Sequence, residues 1–155
     1  FAPPLYTQDF NLYKEEVIPD FHNYEEGMAY AKKTNKPVLI DFSGYGCVNC
    51  REMEANIWSK PEIKQHITQD FVLITLYVDD KTSLDKPYTV IENGKKTEIK
   101  TIGDKWSYLQ RHKFGANSQP YYIVLDNKGE PLNKPFFFTE NPNEFIQFLK
   151  TGLKK

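Results

Sequence analysis

Cysteine is scarce in this sequence: the chain holds only Cys47 and Cys50. Three histidines accompany them, His22, His66 and His112, each in a separate segment. A zinc site needs about four ligands, which this set does not bring together along the chain, so no metal is expected. An excess of one charge sign is also missing. Twenty basic residues stand against 21 acidic ones, a formal net charge of -1. That balance gives no reason to expect a nucleic acid or an anionic membrane as partner. No basic block stands out, and Lys154–Lys155 reads as a frayed tail. The longest apolar run, Phe71–Val78, is far too short to span a bilayer, so no membrane insertion of this chain is expected. Internal repeats and low-complexity tracts are absent.

What remains is a chain of 155 residues, 39% hydrophobic and 15% aromatic. That length fits one domain with one well-formed core, rich in Phe and Tyr, and a monomer is the expectation. The sequence begins at Phe1 rather than Met and reads as a processed product or a piece of a longer protein. No signal peptide is left to read.

Residues 1–22 read as an N-terminal arm, with Pro3, Pro4 and Pro19 and one short strand near Phe10–Tyr13. Asn23 can cap a helix whose first turn carries Glu25 and Glu26, and Asn35–Pro37 ends it. Val38–Phe42 is a short β-branched apolar run, hence a buried strand, broken by Gly44 and Gly46. From Cys47 to Trp58 the pattern is helical. Ser59-Lys60-Pro61-Glu62 starts a second helix to about Ile67, and Phe71–Val78 is the next strand. Residues 81–103 are polar and read as an added hairpin, with strands Tyr88–Ile91 and Thr97–Ile102 around an Asn93-Gly94 turn. Gly103-Asp104 opens a helix with Trp106 and Leu109 inward. Tyr121–Leu125 is a strand, Phe136–Phe138 its antiparallel partner, and Asn141-Pro142 begins the last helix. Early strands alternating with helices predict parallel pairing. The fold class is therefore α/β, a mixed sheet flanked by helices, with residues 23–155 as the domain.

The two cysteines are spaced Cys47-Val48-Asn49-Cys50, where a strand ends and a helix begins. A helix N-terminus carries roughly half a positive charge and free N–H groups, which stabilise a thiolate. One sulfur can attack a substrate disulfide and the other resolve the mixed disulfide. A purely structural bridge over so short a loop would stabilise by only about 2 kcal/mol. A redox dithiol is the reading; metal binding and an idle pair are the alternatives.

Asp41 lies inside an apolar strand run, where a carboxylate is costly without a partner or a task. A strand-edge Asp reaching solvent is the bland alternative. Glu54 follows Cys50 by four residues and Cys47 by seven, a spacing that puts all three on one helix face; a solvated helix residue is its alternative. Tyr45, Trp58 and Tyr122 can line a groove near the cysteines or belong to the core. The histidines read as surface groups.

The stretch Val38-Leu39-Ile40-Asp41-Phe42-Ser43-Gly44-Tyr45-Gly46-Cys47-Val48-Asn49-Cys50-Arg51-Glu52-Met53-Glu54 resembles the active-site segment of thioredoxin-like proteins. Within them it is similar to the C-terminal periplasmic domain of the transmembrane thiol:disulfide interchange reductases (DsbD). Valine after the first cysteine, a basic-Glu-apolar-Glu run after the second, and the Ser-Lys-Pro-Glu helix start carry that likeness, which covers roughly residues 23–150. The resemblance implies a thioredoxin fold and a protein-disulfide reductase that works through a Cys47–Cys50 disulfide with neither metal nor organic cofactor. It makes Cys47 the nucleophile, Cys50 the resolver and Asp41 the proton relay. It matches Pro120 to a cis-proline beside the disulfide and sets Gln119, Tyr45 and Gly46 at the substrate. Gly46 stands where an aromatic residue is usual, and Gln119 where a small or β-branched one is. The implied setting is extracytoplasmic (periplasmic). The implied partners are protein disulfides and thiols, cytochrome c maturation factors among them, with a transmembrane domain as electron donor. An oxidase or isomerase on the same fold, and a non-catalytic binding module, are the rival functions.

Overall fold

The computed structural model describes residues 17–153. The strand expected near Phe10–Tyr13 lies outside the described residues. The order of elements is α1 (Tyr24–Thr34), β1 (Val38–Ser43), α2 (Val48–Glu52) running into a π-helical turn (Met53–Ile57), and α3 (Pro61–Asp70). Then come β2 (Val72–Tyr77), β3 (Ser83–Glu92), β4 (Lys95–Thr101), α4 (Ile102–Phe114), β5 (Tyr121–Leu125) and α5 (Pro142–Leu153).

The central sheet has the order β2-β1-β5. β1 pairs with β2 in parallel, from Val38↔Val72 to Ser43↔Tyr77, and with β5 antiparallel, from Val38↔Leu125 to Phe42↔Tyr121. All six residues of β1 are buried, because helices cover both faces of a central strand. Side chains alternate between those faces. Val38, Ile40 and Phe42 pack with Val72, Ile74 and Leu76, under Ala31 of α1 and Trp106 of α4. Leu39 packs with Leu73, Val124 and Met53, Ile57, Ile63, Phe145 and Leu149, which belong to the π turn, α3 and α5. Asp41 shares the parity of Leu39, so the strand aims it at the second layer, the one that includes the cysteine helix.

Local signals account for most boundaries. The Asn23 side chain accepts from Glu26 N–H at 3.0 Å, and α1 closes on Asn35 at φ 57°. Asn93 and Gly94 both take positive φ, 54° and 78°, as a two-residue hairpin turn between β3 and β4 requires. α4 starts a residue before Gly103-Asp104, since Thr101 caps it and Asp104 returns the bond to the Thr101 N–H. Gly103 is required there: a Cβ would lie 2.6 Å from the Val78 carbonyl oxygen.

Three expectations change. The stretch Cys47–Trp58 is not one α-helix. Trp58 N–H donates to the Met53 carbonyl at 2.9 Å, five residues back, so an extra residue is accommodated after Glu52. Phe136–Phe138 forms no strand. Tyr122 and Phe136 exchange two backbone bonds of 2.8 Å as an isolated bridge, and Leu125 bridges Pro131. Pro131 and Pro135 lack N–H groups, so a continuous ladder cannot form. The hairpin, finally, starts at Ser83, with an irregularity in register before Tyr88 that the polar Asp85-Lys86-Pro87 run obscured. Both strands pack on the domain: Ile99 of β4 is 1% exposed, and Arg111 of α4 pairs with Glu92 at the end of β3.

Candidate active site

β1 ends at Ser43, and the chain turns through Gly44, Tyr45 and Gly46 into α2. Cys47 is the N-cap of that helix, and its sulfur accepts from the Cys50 N–H at 3.1 Å. A disulfide joins Cys47 to Cys50, with their Cα atoms 5.3 Å apart. Cys47 is half-buried, whereas Cys50 is 1% exposed. The sulfur that meets solvent is thus the one at the helix start, where free N–H groups and the dipole favour negative charge.

Asp41 is 2% exposed on the middle strand of the sheet, which disposes of the strand-edge alternative. Thr75 of β2, its register partner, donates a hydroxyl hydrogen bond to Oδ2 at 3.2 Å. Its Oδ1 finds no hydrogen-bond partner among the described residues. Burial, followed by the nearby Glu54 charge, pushes the Asp41 carboxyl up to about 8, against the Thr75 bond and the Arg51 charge. A carboxylic acid poised there can both give and take a proton near neutral pH.

Glu54 is not a freely solvated helix residue. It accepts from Arg51 Nη2 at 2.9 Å, and the same nitrogen donates to Ser43 Oγ at 3.0 Å. Arg51 therefore ties the end of β1 to the π turn. Tyr45 is 58% exposed and lies flat on Tyr77, with ring centroids 3.9 Å apart and planes at 5°. Trp58 and Tyr122 are 3% and 1% exposed and pack on each other in the core, so they line no groove. Burial pushes the Tyr122 phenol well above its ordinary range, with the Asp41 and Glu54 charges adding to it.

The Gln119–Pro120 peptide bond is cis, and Pro120 is buried. Tyr121, the next residue, pairs with Phe42 near the end of β1 from which the cysteine loop leaves. Gln119 Nε2 donates to Gln110 Oε1 at 2.9 Å, and Gln110 Nε2 donates to the Ser118 carbonyl at 2.8 Å. The fully buried Gln110 thus fixes the proline loop to α4.

Several participants were missed from sequence: Thr75, Arg51, Gln110 and Asp79. Thr75 had a signal, being the one aliphatic hydroxyl in the run Val72–Tyr77. Asp79 had a weaker one. It follows a strand parallel to β1, so it arrives beside the loop after β1. Its Oδ1 accepts from Tyr45 N–H at 2.8 Å and its Oδ2 from Gly46 N–H at 3.1 Å. Of the histidines read as surface groups, His66 is half-buried against Asp70, and His22 stacks on Tyr77. Among the described residues no group of three or more His, Cys, Asp or Glu could hold a metal ion.

A disulfide-closed Cys pair opening a helix, with a buried acid on the adjoining strand and a cis-proline before the antiparallel one, defines a dithiol site on a thioredoxin-type scaffold. A family model, the thioredoxin-like domain, matches residues 24–152, and the chain belongs to that family. Among solved structures, a thioredoxin from Thermus thermophilus superposes with a TM-score of 0.63 at 18% identity, covering 90% of this chain and 89% of that one. The reduced C-terminal domain of Neisseria meningitidis DsbD superposes with a TM-score of 0.60 at 18% identity, covering 85% and 98%. At such identities the likeness shows the fold. Anterior gradient protein 3 of Mus musculus is 30% identical over 53 residues, 34% of this chain. The match spans about a third of that relative's own length, 32%. Family and disulfide together support a thiol–disulfide oxidoreductase site. No helix among the described residues is long and apolar enough to cross a membrane.

Proposed function

We propose that this chain is a protein-disulfide reductase that works outside the cytoplasm. In this reading the reduced Cys47 thiolate attacks a substrate disulfide and forms a mixed disulfide. Asp41 takes the Cys50 proton, and the Cys50 thiolate attacks the Cys47 sulfur and releases the reduced substrate. Glu54 tunes Asp41 through its charge. The Gln119 backbone beside Pro120 offers strand-like hydrogen bonds to the substrate chain, and Tyr45 and Gly46 flank it. Residues 23–155 form the catalytic domain, with an arm at 1–22 and an insertion at about 81–103. A transmembrane domain supplies the electrons, and extracytoplasmic thiol proteins, those of cytochrome c maturation included, receive them.

The observation that carries this reading is the buried Asp41, with one oxygen unpartnered and its carboxyl raised to about 8, on the strand that leads to the dithiol. Such an acid loads and unloads a proton as the disulfide opens and closes. The test is the equilibrium of the dithiol with glutathione, read with an insulin-reduction assay. A reductase should lie nearer thioredoxin, about -270 mV, than the strong oxidants, about -120 mV. A potential at the oxidant end would replace the reading with an oxidase, and absent turnover would replace it with a binding module.

A further inference from the structure

The loop before Cys47 is held by a carboxylate that the exchange chemistry above does not use. Asp79 accepts the N–H groups of both Tyr45 and Gly46, at 2.8 and 3.1 Å. The approach is close on the cysteine side as well. A Cβ placed on Gly44 would lie 3.3 Å from Asp79 Oδ2 and 3.4 Å from the Cys47 Cβ. The Cys47 N–H itself is turned back to the Gly44 carbonyl at 3.2 Å.

In the reduced protein a thiolate at Cys47 draws stability from nearby N–H donors and positive charge. Three backbone donors at 45, 46 and 47 are already engaged, two of them by Asp79. The Cys50 N–H is left to the sulfur, at 3.1 Å. Asp79 also stays ionised. Its partial burial works against that, but the Tyr45 and Gly46 N–H bonds and the Arg51 charge hold its carboxyl below the ordinary range. The groups that hold it ionised are these two amides from the loop, its own backbone N–H and Arg51 from α2.

We propose that Asp79 is a positioning residue that keeps the Cys47 thiolate poorly stabilised, by claiming the loop amides and by setting a fixed negative charge beside them. The inference rests on the dithiol exchange proposed above and deepens it. Two electrons leave the dithiol as the Cys47–Cys50 bond forms and the substrate S–S bond breaks, and the two cysteine protons end on the substrate thiols. A thiolate with little stabilisation is a better nucleophile and makes the reduced form less favoured, so electrons leave more readily.

The test compares wild type with Asp79→Asn, Asp79→Glu and the hairpin control Asp85→Asn. Thiolate absorbance against pH reads the Cys47 titration, and glutathione equilibria above its midpoint read the redox balance. Asp79 is exposed at the surface, so screening limits the effect. Asp79→Asn should lower the Cys47 midpoint by about half a unit, a three-fold change in the ionisation constant. The reduced form should be favoured by a similar factor, and Asp79→Glu and Asp85→Asn should stay near wild type. A folded Asp79→Asn protein with wild-type titration and wild-type equilibrium overturns the proposal. So does an equal shift in Asp85→Asn, since any lost carboxylate would then suffice. An oxidising wild-type equilibrium with the Asp79→Asn shift intact sinks the reductase reading and leaves the Asp79 assignment standing.

Discussion

Thr75 on β2 donates its hydroxyl to Asp41 on β1 at 3.2 Å, across a parallel register that pairs the two residues directly. The bond stabilises the charged form of a carboxyl that burial otherwise drives toward neutrality. Thr75→Val should therefore raise the Asp41 midpoint above its wild-type position near 8. Carbon-13 NMR of labelled Asp in the oxidised protein reads it directly. A midpoint that stays put would mean the hydroxyl contributes nothing to Asp41 ionisation.

Asp41 also makes folding stability depend on pH. Its carboxyl rises from an ordinary 3.8 to about 8 in the folded chain, so the folded state binds a proton that the unfolded state releases. The stabilisation is complete below about 4 and is lost as pH climbs through 8. Urea unfolding of the oxidised protein should give falling stability between pH 5 and 9. Asp41→Asn should flatten that decline by more than about 1 kcal/mol, the worth of roughly one pKa unit. Parallel curves for the two proteins would show that Asp41 does not set it.

Much of this was legible in the chain because the decisive signals are local. The run Val38–Phe42, the break at Gly44, the Cys pair and the Asn93-Gly94 turn each act over a few residues. The parallel pairing of β1 and β2 followed from the intervening helices. What was not legible depends on distant segments meeting. Gln110 reaches Ser118 only once α4 is folded, and Asp79 meets Gly46 across 33 residues. The π turn at Met53–Ile57 escaped because its apolar positions also satisfy an α-helical pattern. Pro120 was found by resemblance, and its cis bond follows from no local residue preference beyond the X-Pro type.

The order of the cysteines predicts selective labelling. Cys47 is half-buried at the helix start and Cys50 is 1% exposed within it. Limiting iodoacetamide on the reduced protein at neutral pH should modify Cys47 at least ten-fold faster, about 1.4 kcal/mol in barrier. Peptide mapping reads the ratio. Preferential label on Cys50 would reverse the nucleophile assignment.

The hairpin should divide into a dispensable tip and a packed base. Joining Thr89 to Glu98 through Asn-Gly removes Val90–Thr97, which includes the Glu92 that pairs with Arg111. The shortened protein should keep its fold and its insulin-reduction rate. Ile99→Ala, in contrast, empties a site that is 1% exposed and should cost about 2–5 kcal/mol. Urea melts distinguish the two, and loss of cooperative unfolding in the shortened protein would place the tip in the core.

The sharpest test of the site's electrostatics is a pair of variants with opposite signs. Glu54 and Arg51 face Asp41 together and are bonded to each other at 2.9 Å. The Glu54 charge makes a second negative charge at Asp41 harder to form, and the Arg51 charge makes it easier. Glu54→Gln should thus lower the Asp41 midpoint from about 8, and Arg51→Gln should raise it, all the more because the Glu54 charge is then unscreened by its partner. The consequence for exchange has a definite sign. Asp41 accepts the Cys50 proton only when ionised, so the pH at which mixed-disulfide resolution accelerates should follow the Asp41 midpoint down in Glu54→Gln and up in Arg51→Gln. Asp41→Asn should slow resolution and abolish both displacements, and it should lower the Cys47 midpoint by removing a nearby negative charge. Stopped-flow release of a chromogenic thiol from a preformed Cys47 mixed disulfide, followed from pH 6 to 10, measures wild type, the three single variants and the two doubles that add Glu54→Gln or Arg51→Gln to Asp41→Asn. Displacements of the same sign in the two single variants would mean that local geometry, not charge, governs Asp41. Displacements that persist in the Asp41→Asn background would move the proton relay to another group.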